Sequence, residues 1–196
     1  EFVAPVYSQY ISLTTGWNWV KGYGRSSRDK LMGIIDMIFP DPDVKRHYLT
    51  MLSTGLYGEV IQHFFVAKGV GGNGKSMLNG MMMRTIGEYG YKLPSLSVSA
   101  PIKEGANPTI ANMNNKRFVL VQEPDKKNKI NTSTIKELTG DKAINCRTLY
   151  SKATTTLLKL TFCMECNDLP QLDESGDAMA RRIDVSPFDS RFMTYD

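Results

Sequence analysis

The residues best suited to chemistry stand together in Gly69-Val70-Gly71-Gly72-Asn73-Gly74-Lys75-Ser76, which satisfies G-x-x-x-x-G-K-[ST] at every fixed position. Closely spaced glycines let successive backbone N–H groups turn inward around a phosphate chain, and the helix that follows offers its positive end to the same point. The lysine of such a loop lies along the β- and γ-phosphates, and the hydroxyl beside it ligates Mg²⁺. The whole loop is therefore expected to bind a nucleoside triphosphate with Mg²⁺, with Lys75 as phosphate cation and Ser76 as metal-binding hydroxyl.

A phosphate loop needs a strand to deliver it and a helix to receive it. Residues 62–68, Gln-His-Phe-Phe-Val-Ala-Lys, read as a short buried strand, and 77–83 continue as a helix without a breaker. Residues 91–98 supply material for a second strand, and 99–113, with Pro101, Gly105, Asn107 and Pro108, for a loop or short helix. The run Phe118-Val119-Leu120-Val121-Gln122-Glu123-Pro124 is four apolar residues closed by an acid and a proline, the pattern of a buried parallel strand that delivers a side chain at its C-terminal edge. There an ATPase needs an acid to hold Mg²⁺ through water and to polarise the attacking water, so Glu123 is the catalytic and metal-site candidate.

Further on, a helix is expected over 131–139 with Thr132 or Ser133 as its cap, followed by strands over 144–149 and 154–162. Tyr150-Ser151-Lys152-Ala153 joins those strands as the tip of a β-hairpin, where a lysine is exposed by geometry. The second strand runs on to Asn167, whose amide could orient the attacking water without adding negative charge. Arg181 and Arg182 follow a short helix and precede another strand-like run. Such a pair is either a solvated surface or a guanidinium offered to the nucleotide of a neighbouring subunit.

The opening third is helical in pattern. Ser26-Ser27 look like the cap of an amphipathic helix carrying Leu31, Ile34, Ile35 and Ile38, and Pro40 and Pro42 end it; a second helix is expected over 43–57. The cluster Trp17-Asn18-Trp19 could stack on bases, but reads first as cover for a helical core. The chain has 196 residues, 41% hydrophobic and 22% charged, with a net charge of +4. That is long enough for one domain with a real core and compatible with a polyanionic partner. No apolar run approaches a bilayer span, and the start lacks the pattern of a signal peptide and an initiator methionine, so no membrane partner and a piece of a longer protein are expected. Cys146, Cys163 and Cys166 are read as free thiols of a reducing intracellular compartment rather than as a zinc or redox site.

Taken together, the phosphate loop, the strand ending in Glu123, the segment 136–152, the strand ending in Asn167-Asp168-Leu169-Pro170, and Asp177-Ala178-Met179-Ala180-Arg181-Arg182-Ile183 before Pro187-Phe188 resemble the superfamily 3 helicases. The likeness, over about residues 61–188, is to the helicase part of primase-helicases of nucleocytoplasmic large DNA viruses and of related phage and plasmid primases. It implies an α/β, AAA+-like core with a central, mostly parallel sheet flanked by helices and a β-hairpin before the sensor strand. A helical segment over 1–58 would pack on an ATPase core over 59–196. The resemblance further implies a hexameric homo-oligomeric ring that binds ATP between subunits and moves on single-stranded or forked DNA. A primase domain would share the full-length chain, and the location would be the host cytoplasm or nucleus. On that pattern Asn167 is the sensor, and Arg182, or its neighbour Arg181, is the finger acting in trans. The DNA-binding tip is Lys152, Tyr150 or Ser151. Where relatives often carry two successive acids, this chain has Gln122-Glu123, which makes Asp125 a possible helper. A ring that remodels without travelling and a small-molecule kinase are the alternative readings.

Overall fold

The structure, a computed structural model, describes residues 6, 8, 11–18, 20, 22, 24–102, 107–123, 129–146, 154–174 and 176–193. The apolar runs do form strands: β1 (Phe64–Lys68), β3 (Phe118–Val121) and β6 (Thr161–Cys166) are buried at almost every position. Burial on both faces requires cover on both faces, which is the situation of a parallel sheet. With β2 (Gly90–Leu93) and β7 (Ile183–Pro187) these strands make a five-stranded sheet in the order β2-β3-β6-β1-β7, every neighbouring pair parallel. The C-terminal ends of β1, β6 and β3 therefore lie side by side along one edge.

Alternation along the strands divides the core in two. Phe64, Val66, Val119, Val121, Phe162 and Met164 point to one face, where they meet Leu93, Ile110, Ile135 and Leu138. The last two come from α5 (Thr132–Leu138) and Ile110 from α4 (Pro108–Ala111). Phe65, Ala67, Phe118, Leu120 and Cys163 point to the other face, against α1 (Arg25–Ile38), α2 (Pro42–Thr54) and α3 (Lys75–Ile86). There Phe39, Tyr48 and Phe188 form an aromatic cluster with ring centroids 4.7–5.3 Å apart, Tyr48 and Phe188 meeting edge to face. Among the described residues no helix is long and apolar enough to cross a membrane.

Several local expectations shift. The strand expected over 91–98 stops at Leu93 because Pro94 cannot continue it, and a 3₁₀ turn, Ser95–Val98, follows. The strand expected over 154–162 is two strands. β5 (Thr154–Thr156) pairs antiparallel with β4 (Ile144–Cys146), and β6 starts afresh inside the main sheet. Between them Leu158 and Leu160 are buried, which is why the segment reads as continuous strand. α1 begins at Arg25 behind Gly24 with no side-chain cap, so Ser26 and Ser27 lie within it. α2 instead has Asp41 as cap, accepting from the N–H groups of Asp43 and Val44, and ends at Thr54. In α5 the cap is Asn131, whose amide oxygen accepts from Thr134 N–H. Trp17 is 69% exposed, not core, and its indole N–H donates to the carbonyl of Arg84 at 2.8 Å. A short helix, α6 (Asp177–Ala180), precedes β7.

Candidate nucleotide site

The loop 69–76 joins the end of β1 to the start of α3, and its backbone explains its glycines. Gly72 and Gly74 have φ of +76° and +84°, a region that L side chains rarely occupy. A β-carbon on Gly69 would lie 2.4 Å from the carbonyl oxygen of Phe188. Asn73 is buried and holds the turn from both sides, accepting from Lys75 N–H and donating to Phe188 O at 3.2 Å each. Lys75 is buried as well; its ammonium donates to Gly69 O at 2.6 Å and to the amide oxygen of Asn167 at 3.4 Å. An ammonium has three donors, so one is left for an oxygen within the cleft.

That cleft, about 620 Å³, is lined by 71–77 together with Gln122, Glu123, Glu165 and Asn167. The parallel order brings these distant positions together: Glu123 lies two residues past the end of β3, and Asn167 directly follows β6, which runs between β3 and β1. A carboxylate oxygen of Glu123 accepts from the backbone N–H of Asn167 at 2.9 Å. Lys75, Asn167 and Glu123 thus form one connected row along the sheet edge. Glu165 stands out because sequence reading passed over it. It accepts from the Ser76 hydroxyl at 2.7 Å and from the Asn79 amide at 2.8 Å. The available signal was a single acid in an otherwise apolar strand, close to its C-terminal edge.

Hard cations prefer oxygen ligands, and Ser76, Glu123 and Glu165 offer only oxygens, so the donor set fits Mg²⁺. Among the described residues no three His, Cys, Asp or Glu side chains cluster into a ligand cage of their own, so such an ion would need phosphate oxygens and water as well. Among the described residues the thiols join no cluster that could hold a metal. Cys163 and Cys166 are free, buried, and belong to the cores on opposite faces of β6. Burial pushes the Cys163 thiol up to about 12, and burial together with the charge of Glu123 pushes that of Cys166 to about 11.

The two arginines do not join this cleft. Arg182 immediately precedes β7, and its carbonyl accepts from Phe64 N–H at the first residue of β1, the far end of that strand from the loop. Five strand residues span roughly 16 Å, beyond the reach of an arginine side chain to its own phosphate loop. Arg181 is exposed with Nε donating to Asp177 O; Arg182 is half-buried, its Nη1 donates to Ala178 O at 3.4 Å, and its buried Nε has no partner among the described residues. Tyr150, Ser151, Lys152 and Asp125 lie outside the described residues.

The profile of the family described as "Family of unknown function (DUF5906)" matches residues 67–182, which takes in the loop, Glu123, Asn167 and Arg182. "Putative helicase L207/L206" of Acanthamoeba polyphaga mimivirus is 30% identical over 190 residues, covering 94% of this chain and 20% of that protein. "Primase D5" of Fowlpox virus is 27% identical over 191 residues, covering 92% of this chain and 24% of that one. The chain thus spans about a fifth to a quarter of the length of these relatives. The solved structure of the NrS-1 C-terminal region superposes with a TM-score of 0.64 at 17% identity, over 83% of this chain and 37% of that one, so the fold is shared. The resemblance to the helicase part of viral primase-helicases therefore holds in sequence and in fold.

Proposed function

The chain belongs to the family of unknown function DUF5906, and from its likeness to the viral relatives named helicase and primase and from the converging strand ends we propose that it is the ATP-hydrolysing motor of a DNA helicase. The observation that carries this reading is the row of Lys75, Asn167 and Glu123 beside a glycine loop, made by placing β6 between β1 and β3. Lys75 would hold the β- and γ-phosphates. Glu123, fixed by the Asn167 N–H, would take the proton of the attacking water, and the Asn167 amide would orient that water beside the γ-phosphate. Mg²⁺, when bound, neutralises charge on the phosphate oxygens; Ser76 directly and Glu123 through water are the residues that would hold it.

Arg182 cannot serve its own cleft, so the motor works between subunits. A homo-hexameric ring brings Arg182, with Arg181 as its neighbour, to the next subunit's nucleotide. The tip Tyr150-Ser151-Lys152 contacts single-stranded or forked DNA in the pore, a primase domain occupies the same full-length chain, and the host cytoplasm or nucleus is the workplace. The test is the particle mass with and without ATP analogue and single-stranded DNA, the ATPase rate with and without DNA, and strand displacement on a forked duplex. A nucleotide-dependent ring, DNA-stimulated hydrolysis and strand displacement are expected. A ring that hydrolyses ATP without displacing a strand would make the chain a remodelling or melting ATPase, and a phosphorylated nucleoside or sugar as product would make it a kinase.

A further inference from the structure

We propose that Glu165 is the acid that anchors the metal side of this site, supplying from β6 the carboxylate that Gln122 withholds at the end of β3; the inference rests on the nucleotide-binding reading above. Its two oxygens are engaged by residues one helical turn apart on α3, Ser76 at 2.7 Å and Asn79 at 2.8 Å. Asn79 is fully buried and is itself held by Tyr48 of α2, whose hydroxyl donates to its amide oxygen at 2.8 Å. A chain of hydrogen bonds from the core thus fixes the carboxylate beside the one hydroxyl of the phosphate loop.

The charge of Glu165 points the same way. The side chain is half-buried and its hydrogen-bond donors, a hydroxyl and an amide, are neutral; among the described residues no ion pair includes it. A partly buried carboxylate with no ion pair among the described residues favours a cation from outside. Each oxygen keeps further lone-pair capacity, and the residue lines the cleft beside Ser76. Glu123 occupies a different place, held by the N–H of Asn167 on the Lys75 side. The two acids therefore divide the work: Glu123 serves the attacking water and meets the ion only through water, and Glu165 is the carboxylate that holds Mg²⁺ on the Ser76 side.

The test measures binding of a fluorescent ADP analogue to the full-length protein, in Mg²⁺ and in EDTA, with Mn²⁺ titration followed by electron paramagnetic resonance. In the wild type Mg²⁺ should tighten nucleotide binding. In Glu165→Gln that gain should fall by about ten-fold or more, with affinity in EDTA unchanged and Mn²⁺ left free in the spectrum. Glu123→Gln, which meets the ion only through water, should lose less of the gain than Glu165→Gln. Should Glu165→Gln not fold, Glu165→Asp, which retracts the charge by one methylene, is read in the same way. A full Mg²⁺ gain in either position-165 variant, or an equal loss in Mg²⁺ and EDTA, would overturn the proposal while leaving nucleotide binding intact. A wild type that binds no nucleotide in either buffer would overturn both readings.

Discussion

At the scale of single residues, the site separates groups that grip from groups that react. Lys75 and Ser76 belong to the phosphate loop and are legible in the sequence because the loop is local: its glycine spacing specifies the backbone that a triphosphate needs. Glu123 and Asn167 are legible for another reason, since each closes an apolar run and so must emerge at a strand end. Glu165 is not, because its partners Ser76 and Asn79 lie 89 and 86 residues away and only the sheet order brings them to it. Glu123→Gln should retain nucleotide binding and lose hydrolysis by on the order of 10²–10⁴, the usual worth of a positioned base; equilibrium binding and steady-state ATPase rates on the same preparation check it. The buried thiols give a pH signature. The folded state holds Cys163 up to about 12 against an ordinary 9.0, so below pH 9 folded and unfolded chains both keep the proton and stability is undiminished. Above pH 9 the unfolded thiol ionises while the folded one cannot. Urea midpoints should therefore fall as pH rises from 9 toward 12, less steeply in Cys163→Ala, and the native thiol should resist alkylation at pH 8 until the chain is unfolded.

At the scale of elements, the helices before the phosphate strand are part of its support. Tyr48 on α2 is fully buried, donates to Asn79 on α3 and lies 3.6 Å from the sulfur of Cys163 on β6. A second tie joins Thr54 of α2 to Thr161 at the start of β6, hydroxyl to hydroxyl at 2.7 Å. Tyr48→Phe keeps the ring in its aromatic cluster and removes one hydroxyl, leaving the buried amide oxygen of Asn79 without its donor. The expected cost is about 1–3 kcal/mol. For a chain of this length that lowers the melting temperature by about 2–4 °C per kcal/mol, measurable by calorimetry. The variant should also weaken the Mg²⁺-dependent part of nucleotide binding, since Asn79 orients Glu165. Element types were legible from pattern wherever burial on both faces left a long apolar run, as in β1 and β3. The division of 154–166 into two strands of different sheets was not, because Leu158 and Leu160 carry the same apolar signal whether they extend a strand or pack beneath one.

At the scale of the whole molecule, the sheet has two ends and the proposed chemistry uses both. Lys75, Asn167 and Glu123 stand at the C-terminal edge, whereas Arg182 sits where β1 and β7 begin. An arginine folded onto α6 and a strand's length from its own loop can complete a phosphate site only by reaching across to another copy. A head-to-tail interface of that kind, repeated by rotation, closes into a ring. Arg182→Ala should accordingly bind ATP as the wild type does and lose turnover by on the order of 10³ in the assembled protein. Lys75→Ala should fail earlier, at binding. The two defects then lie on opposite sides of one interface, and mixing the inactive proteins should restore activity. With equal amounts and random assembly, roughly a quarter of interfaces would join an intact loop from one variant to an intact arginine from the other. ATPase activity that appears on mixing and approaches that fraction places Arg182 in the neighbour's site; a mixture as inactive as its components removes the finger assignment.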